Sequence, residues 1–171
     1  MSERYVRLAL SILVLLGLGP GCTNTVSLDV ATEADLTAEA VAITCAAECG
    51  GLTVYLRDQL LEAETLTGGE DPMPDVFRRA IALKVADIRF VSVEEADALM
   101  GDDMSIDGGD GVLISVGPLS VLAEDVVGIG VGVTSPNGAF HGRTIQFLWD
   151  GNTWNPADSR DTGVTVITSV S

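Results

Sequence analysis

The side chains best suited to chemistry are four oxygen donors in one acidic stretch in the middle of the chain. They are Asp103, Ser105, Asp107 and Asp110. Alternating oxygen ligands followed by a glycine, here Gly108, are typical of the first half of a calcium-binding loop. The second half differs, because Asp110 stands where an apolar residue should anchor the loop and Ile114 replaces the bidentate glutamate. We therefore expect a polar loop leading into a strand, with loose Ca²⁺ binding by these four residues as the alternative.

Nucleophilic catalysis would depend on His141, the single histidine of the chain. It lies between a hairpin signal and the next strand, and no serine stands in the G-x-S-x-G pattern that would pair with it. We expect His141 to be an exposed or hydrogen-bonded turn residue. Two carboxylates could also hydrolyse a substrate, but nothing in the sequence distinguishes one acidic pair from another.

Cys45 and Cys49 lie four residues apart at the end of a predicted helix. That spacing puts both side chains on one helix face with their Cα atoms about 6 Å apart, within the outer half of the range that a disulfide allows. A bridge would close a very short loop and add little stability. We predict either a structural disulfide or two buried thiols, because a redox pair or half a metal site would lack the C-x-x-C spacing and supporting histidines.

The start of the chain carries an export signal. Two arginines precede an apolar run, Leu8–Leu18, whose length fits a secretory signal and falls short of the roughly 20 residues that cross a bilayer. The run ends in a Gly-Pro-Gly-Cys sequence, residues 19–22, which resembles the lipobox of bacterial lipoproteins, although its first two residues replace the usual aliphatic and small ones. The resemblance implies removal of residues 1–21 and acylation of Cys22. An ordinary secretory signal that leaves Cys22 as a thiol is the alternative.

A lipid on Cys22 would tether the protein to a membrane, since more than one acyl chain holds a domain stably at a bilayer. Thr23 follows where an aspartate would suggest retention in the inner membrane. We therefore expect an outer-membrane lipoprotein of the cell envelope that faces the periplasm or the cell surface. The rest of the chain resembles uncharacterised bacterial exported proteins, which implies no activity.

Charge limits the classes of partner. The first 21 of the 171 residues hold two of the nine basic and one of the 25 acidic side chains, so the remaining 150 residues carry seven against 24, a formal charge of −17. Such a charge repels phosphate backbones and no basic patch offsets it, so we expect no nucleic-acid partner. The acidity is typical of a soluble exported domain, and collecting divalent cations or docking a basic protein are the alternatives.

Hydrophobic periodicity and turn residues predict helices early in the chain and strands late. Helices are expected at Asp35–Cys49, from Pro74, and from Ser92 to Leu99. Strands are expected at 52–56, 88–91, 112–116, 126–133, 144–149 and 164–170, with a loop at 62–73 and hairpins at Asn137-Gly138 and Asp150-Gly151. The pattern is α+β: a mostly antiparallel sheet of five or six strands with two or three helices packed on one face.

One predicted strand alternates apolar residues with three glycines, Gly128, Gly130 and Gly132, so one of its faces is bare. We expect an aromatic side chain of the neighbouring strand to cover that face. The candidates are Ile145, Phe147 and Trp149, which share one side of their strand. A flat groove that admits a ligand or peptide is the alternative.

These observations divide the chain into a signal peptide, 1–21, a lipidated tether, 22–30, and a single α+β domain, 31–171. Because the sequence assembles no catalytic set, we expect a non-enzymatic binding or structural domain at the cell envelope, with an envelope protein as a candidate partner. The alternative is a carboxylate-dependent envelope hydrolase or a weak Ca²⁺-binding protein.

Overall fold

The computed structural model describes residues 28–61, 68–101 and 105–157, with residues 68–71 as backbone only. The predicted signal peptide, Cys22, Asp103 and the predicted strand 164–170 lie outside these residues. The elements are α1 Val30–Glu48, β1 Thr53–Leu61, β2 Gly68–Pro72, α2 Asp75–Lys84, β3 Arg89–Val91, α3 Val93–Leu99, a 3₁₀ turn Asp107–Gly109, β4 Gly111–Ala123, β5 Val126–Thr134, β6 Phe140–Trp149 and β7 Trp154–Pro156. Among the described helices, none has the length and apolar character needed to span a bilayer.

Seven strands form one sheet in the order β2-β1-β4-β5-β6-β7, and β3 also pairs with β1. The sheet is six strands across, because β2 and β3 pair with different halves of the same edge of β1. β1 runs parallel to β3 and β4, and every other pairing is antiparallel. The predicted α+β class with a mostly antiparallel sheet is therefore confirmed.

The two faces of the sheet carry separate cores. The larger one packs α1 and α2 against β1, β4, β5 and β6, and includes Leu56, Ile114 and Phe147. The smaller one packs α3 against the opposite face, through Tyr55 and Leu113. Side chains alternate along a strand, so Leu56 and Tyr55 necessarily belong to different cores. Two helices share one face as expected, and the third lies on the other.

The segment between β1 and α2 corrects the sequence prediction of a loop. β1 continues beyond Leu56 to Leu61, and residues 68–72 form β2, which pairs with it. The polar residues in this half of β1 interrupt the apolar pattern from which a strand is predicted. In the structure they pair with residues of the helices. Asp58 accepts a hydrogen bond of 2.8 Å from Arg78 of α2, and Arg57 lies 3.8 Å from Asp97 of α3.

Helix α1 begins five residues before its predicted start. Asp29 caps it, since its Oδ1 accepts hydrogen bonds of 3.0 Å from the backbone N–H groups of Ala31 and Thr32. At the other end Gly50 and Gly51 adopt φ values of +41° and +88°, which side-chain-bearing residues rarely reach. The predicted glycine stop is confirmed.

The orientation of α1 relates the two ends of the domain. Its last residue, Glu48, contacts His141 and Arg143 near the start of β6, and the helix packs on β4 and β5. A helix of 19 residues rises about 28 Å. Val30 therefore lies at the opposite end of the sheet, toward the β4–β5 hairpin.

The glycine strand is β5, and the expected cover is wrong in its residues. Ile145 and Phe147 pair with Ile129 and Val127 on the helix-bearing face, so they cannot reach the glycines. On the bare face Phe140 of β6 approaches Gly132, and a Cβ there would lie 2.7 Å from its ring. An aromatic side chain does cover part of the glycine face, but it is Phe140, which lies on the opposite side of β6 from Ile145 and Phe147.

Both predicted hairpins are confirmed. Asn137-Gly138 joins β5 to β6, and Gly138 has a φ of +79°. Asp150-Gly151 joins β6 to β7, where Trp149 and Trp154 pack with ring centroids 5.4 Å apart.

Candidate functional site

A cleft of about 670 Å³ lies where α1 ends, β1 begins and the turn between α2 and β3 crosses them. Its walls combine apolar, charged and thiol side chains. They include Cys45, Cys49, Leu52, Val85, Asp87 and Arg89. The volume falls within the range of about 300–1,000 Å³ that is typical of ligand sites. This cleft is the candidate site, and the sequence prediction did not identify it.

The two cysteines occupy the last turn of α1, at the cleft. The N–H of Cys49 donates to the carbonyl oxygen of Cys45 at 2.9 Å, so the backbone between them is helical. Both are free thiols in the structure, and their side chains hydrogen bond to each other. The predicted disulfide between them therefore stays a prediction, and the structure provides two adjacent thiols.

The hydrogen bond between the thiols shifts their two pKa values in opposite directions. The thiol of Cys45, as donor, lowers the pKa of Cys49, while burial and the Glu48 carboxylate act against this. The pKa of Cys45 is raised by its hydrogen bond to Cys49, by burial and by the negative charges nearby. The C-terminal end of a helix disfavours a thiolate by only about 0.3–1 kcal/mol, whereas a hydrogen bond to a charged group contributes about 1.5–3 kcal/mol. The pKa of Cys49 is thus lowered and that of Cys45 raised.

A charged cluster lies beside the cysteines on the same helix turn. Nε2 of His141 contacts Oε2 of Glu48, and Nη2 of Arg143 lies 3.6 Å from Oε1 of the same carboxylate. The side chains are 33%, 21% and 23% exposed for His141, Glu48 and Arg143, so the pairing is partly shielded from water. The cluster compensates the one carboxylate that lies between the two thiols in sequence.

His141 corrects another expectation. It lies inside β6, where it pairs with Val133, and not in the turn before the strand. Residues 141 and 143 share a side of β6, so both point to the helix-bearing face, where Glu48 meets them. The sequence hinted at this through their two-residue spacing. The partner is 93 positions away and left no local signal.

Arg143 is incompletely satisfied. Its Nε and Nη2 atoms are buried, and neither has a hydrogen-bond partner in the described part of the structure. A guanidinium presents five donors, and burying some of them without acceptors costs free energy. The Arg143 guanidinium thus lies beside the Glu48 carboxylate, but two of its nitrogens make no hydrogen bond in the described part of the structure.

The acidic stretch lies on the other face of the sheet. Oδ2 of Asp107 accepts a hydrogen bond of 2.6 Å from the hydroxyl of buried Tyr55, and the Arg89 guanidinium lies 5.8 Å from the centre of the Tyr55 ring. Asp107 and Gly108 have φ values of +48° and +64°, so the expected sharp turn is present. The hydrogen bond to Asp107, followed by burial, raises the pKa of Tyr55.

The four predicted calcium ligands are therefore only partly located. Asp103 lies outside the described residues, and Asp107 uses one carboxylate oxygen for Tyr55. The N–H of Asp110 donates to the carbonyl of Asp107 at 3.3 Å, and the carbonyl of Ser105 accepts from Gly101 at 2.9 Å. Across residues 28–61, 68–101 and 105–157, no three His, Cys, Asp or Glu side chains are grouped closely enough to hold a metal ion. Calcium binding by this loop stays a prediction.

Comparison of the chain with protein-family models, with curated proteins and with solved structures finds no match. The cleft, its two thiols and the adjacent Glu48 cluster are accordingly interpreted from their own geometry.

Proposed function

We propose that this protein is an exported lipoprotein, tethered to the membrane through an acylated Cys22, whose folded domain binds a partner at the cell envelope without catalysing its conversion. The observation that supports it is the position of the cleft relative to the tether. The chain from Cys22 enters the domain at the N-terminal end of α1, and the cleft lies at the C-terminal end of the same helix.

A helix length separates the two. Along α1, Cys45 lies about 22 Å and Cys49 about 28 Å from Val30, where the chain enters the helix. Eight chain steps lead from Cys22 to Val30, so the N-terminal end of α1 would stay within about 28 Å of the lipid. The cleft lies at the other end of α1, where a partner in the envelope can reach it.

The walls of the cleft fit a mixed apolar and polar ligand surface. Leu52 and Val85 provide apolar contact and Asp87 provides a negative charge, while Arg89 lines the cleft with its guanidinium directed toward Tyr55. Asp87 has a φ of +57°, unusual for a residue with a side chain, and it fixes the turn between α2 and β3. A loop or side chain of a partner protein, or a small ligand, suits such a site.

The anchor is tested by replacing one cysteine. In the full chain expressed in a bacterial host, C22S should move the protein from the membrane fraction to the soluble envelope fraction, and the mature wild-type chain should carry the mass of attached acyl groups. C45S is the matched control and should remain with the membranes. Continued membrane retention of C22S would contradict the anchor.

The binding site is tested by filling the cleft. Ala86 is exposed and lines it, so A86W should block entry, whereas A82W places the same side chain on exposed α2 outside the lining. After chemical cross-linking in intact cells, adducts of the wild-type chain should disappear with A86W and persist with A82W. Equal adducts in the two variants, or none with the wild type, would overturn the assignment of the cleft.

The alternative of a carboxylate-dependent hydrolase or a weak Ca²⁺-binding protein gains no specific support. In the described part of the loop, the Asp107 side chain is hydrogen bonded to Tyr55.

A further inference from the structure

We propose that Cys45 and Cys49 form a redox-active dithiol that exchanges with a disulfide seated in the cleft. This stoichiometric exchange goes beyond the binding role proposed above and rests on the proposed export to the cell envelope. The shared chemistry of the substrate is one S–S bond, carried by a small peptide disulfide or by the cystine of an exported protein. Disulfides persist in the envelope of a two-membrane cell, so such substrates are chemically available there.

The geometry provides both sulfurs at one site. The cysteines are one helical turn apart, hydrogen bond through their thiols and both line the cleft. Cys49 is 5% exposed and is reached through the cleft, so the site selects substrates that can enter it. Gly50 and Gly51 follow directly and bear no side chains, so the turn can adjust when the short Cys45–Cys49 loop closes.

The exchange balances as two displacements. The thiolate of Cys49 attacks one sulfur of the substrate R–S–S–R, which breaks that bond, forms a mixed disulfide Cys49–S–S–R and releases RS⁻. Cys45 then gives its proton to the released thiolate, and its sulfur attacks Cys49. This forms the Cys45–Cys49 disulfide and releases the second RS⁻, which takes a proton from water. The dithiol loses two electrons and the substrate disulfide gains two.

The charges around the pair suit this order of attack. Glu48 opposes a thiolate on either cysteine, and Arg143 is placed to compensate that carboxylate, which His141 also contacts. From the other wall, Asp87 lines the cleft, while the Arg89 guanidinium lies over the Tyr55 ring on the opposite face of the sheet. We assign Arg143 as a positioning residue, because it acts on Cys49 only through Glu48.

The test uses the full chain with C22S, which leaves Cys45 and Cys49 as the only thiols. The reduced protein is mixed with oxidised glutathione, the reaction is stopped with an alkylating reagent, and the mass of the protein is measured by mass spectrometry. We expect loss of both thiols and appearance of an internal disulfide. Two thiols that stay free, or two stable glutathione adducts without an internal bridge, would overturn the proposal.

Single variants assign the two roles. With C45S added, Cys49 should hold one glutathione as a stable mixed disulfide. With C49S instead, reaction of Cys45 should be slower, because burial and the Glu48 carboxylate still raise its pKa. Equal rates would contradict the assignment of Cys49 as nucleophile, and circular dichroism checks that both variants are folded.

A second pair of variants separates hydrogen bonding from packing. C45S keeps a hydroxyl that can donate to Cys49, and C45A does not. The pH midpoint for alkylation of Cys49 should rise in C45A relative to C45S, and R143M should raise it as well, through uncompensated Glu48. Identical pH profiles in C45S, C45A and R143M would show that neither the Cys45 hydrogen bond nor Arg143 affects the pKa of Cys49. The glutathione experiment on the chain with both thiols does not depend on this result.

Two substrates distinguish a small peptide disulfide from the disulfide of a protein. Oxidised glutathione and the disulfides of insulin are compared on the chain with and without A86W. Slower exchange with both in A86W supports the cleft as the site, and unchanged exchange with both contradicts it. A preference for one substrate identifies a small or a protein disulfide.

Discussion

Each face of the sheet has one cluster of polar side chains, and the two clusters differ in how many of their polar atoms have hydrogen-bond partners. On the face with α3, Tyr55 and Asp107 form one short hydrogen bond that closes the acidic loop onto the core. On the face with α1, Glu48 meets His141 and Arg143, and two nitrogens of Arg143 have no hydrogen-bond partner among the described residues. Asp107 of the acidic loop thus has a defined contact with the core, and the candidate cleft lies at the alanine-rich end of α1.

The largest expected effect compares the cores of the two faces. Ile114 and Leu113 are neighbours in β4, both almost fully buried, and they belong to different cores. We expect I114A to lower the free energy of unfolding by about 4 kcal/mol and L113A by about 2–3 kcal/mol, since the smaller core can relax around the cavity. Urea denaturation measures both. A larger loss in L113A would reverse this ranking of the faces.

A second prediction concerns the Glu48 cluster. E48Q leaves Arg143 and His141 without their anionic partner, and we expect a loss of about 1–2 kcal/mol, reduced by partial exposure to water. R143M should cost less, because Glu48 keeps His141. The double variant should be less destabilised than the sum of the two, by about 0.5–1 kcal/mol. Strict additivity in denaturant unfolding would show that the carboxylate and guanidinium do not interact.

A third prediction tests the satisfied contact by pH. Y55F removes the hydroxyl that Asp107 accepts and should cost about 1 kcal/mol at neutral pH. Because the folded pKa of Tyr55 is raised, this contribution is present below the unfolded value, near 10, and is lost as pH rises above it. The difference in stability between wild type and Y55F should therefore shrink above about pH 10. A constant difference would contradict the role of Asp107.

The smallest expected effect concerns calcium. If the loop of Ser105, Asp107 and Asp110 is only structural, Ca²⁺ up to about 1 mM, a range typical of weak extracellular sites, should leave the melting midpoint unchanged. Mg²⁺ serves as the matched control ion. A rise of several degrees with micromolar Ca²⁺ alone would make this loop a binding site and would remove the contrast between the two faces.

Sequence patterns predicted the fold class, both confirmed hairpins and the glycine stop of α1, because these depend on residues close together in the chain. They failed where polar residues sit in a paired strand, as in the second half of β1. They also missed the cleft, since Leu52, Val85 and Arg89 come together only through the tertiary fold. The cysteine pair was visible in the sequence, but its environment was not, because Arg143 and His141 lie on a strand far from α1.

The parallel pairing of β1 has a consequence for how the chain folds. β4, β5 and β6 form a meander joined by tight turns, so their contacts close short loops. Thr53 of β1 pairs instead with Gly111 of β4, which requires closing a much longer loop at greater entropic cost. We expect the meander to form first and β1 to add late, carrying the end of α1 with it. Amide protons of β5 should then become protected earlier in refolding than those of β1, and the cleft would be completed in the last step.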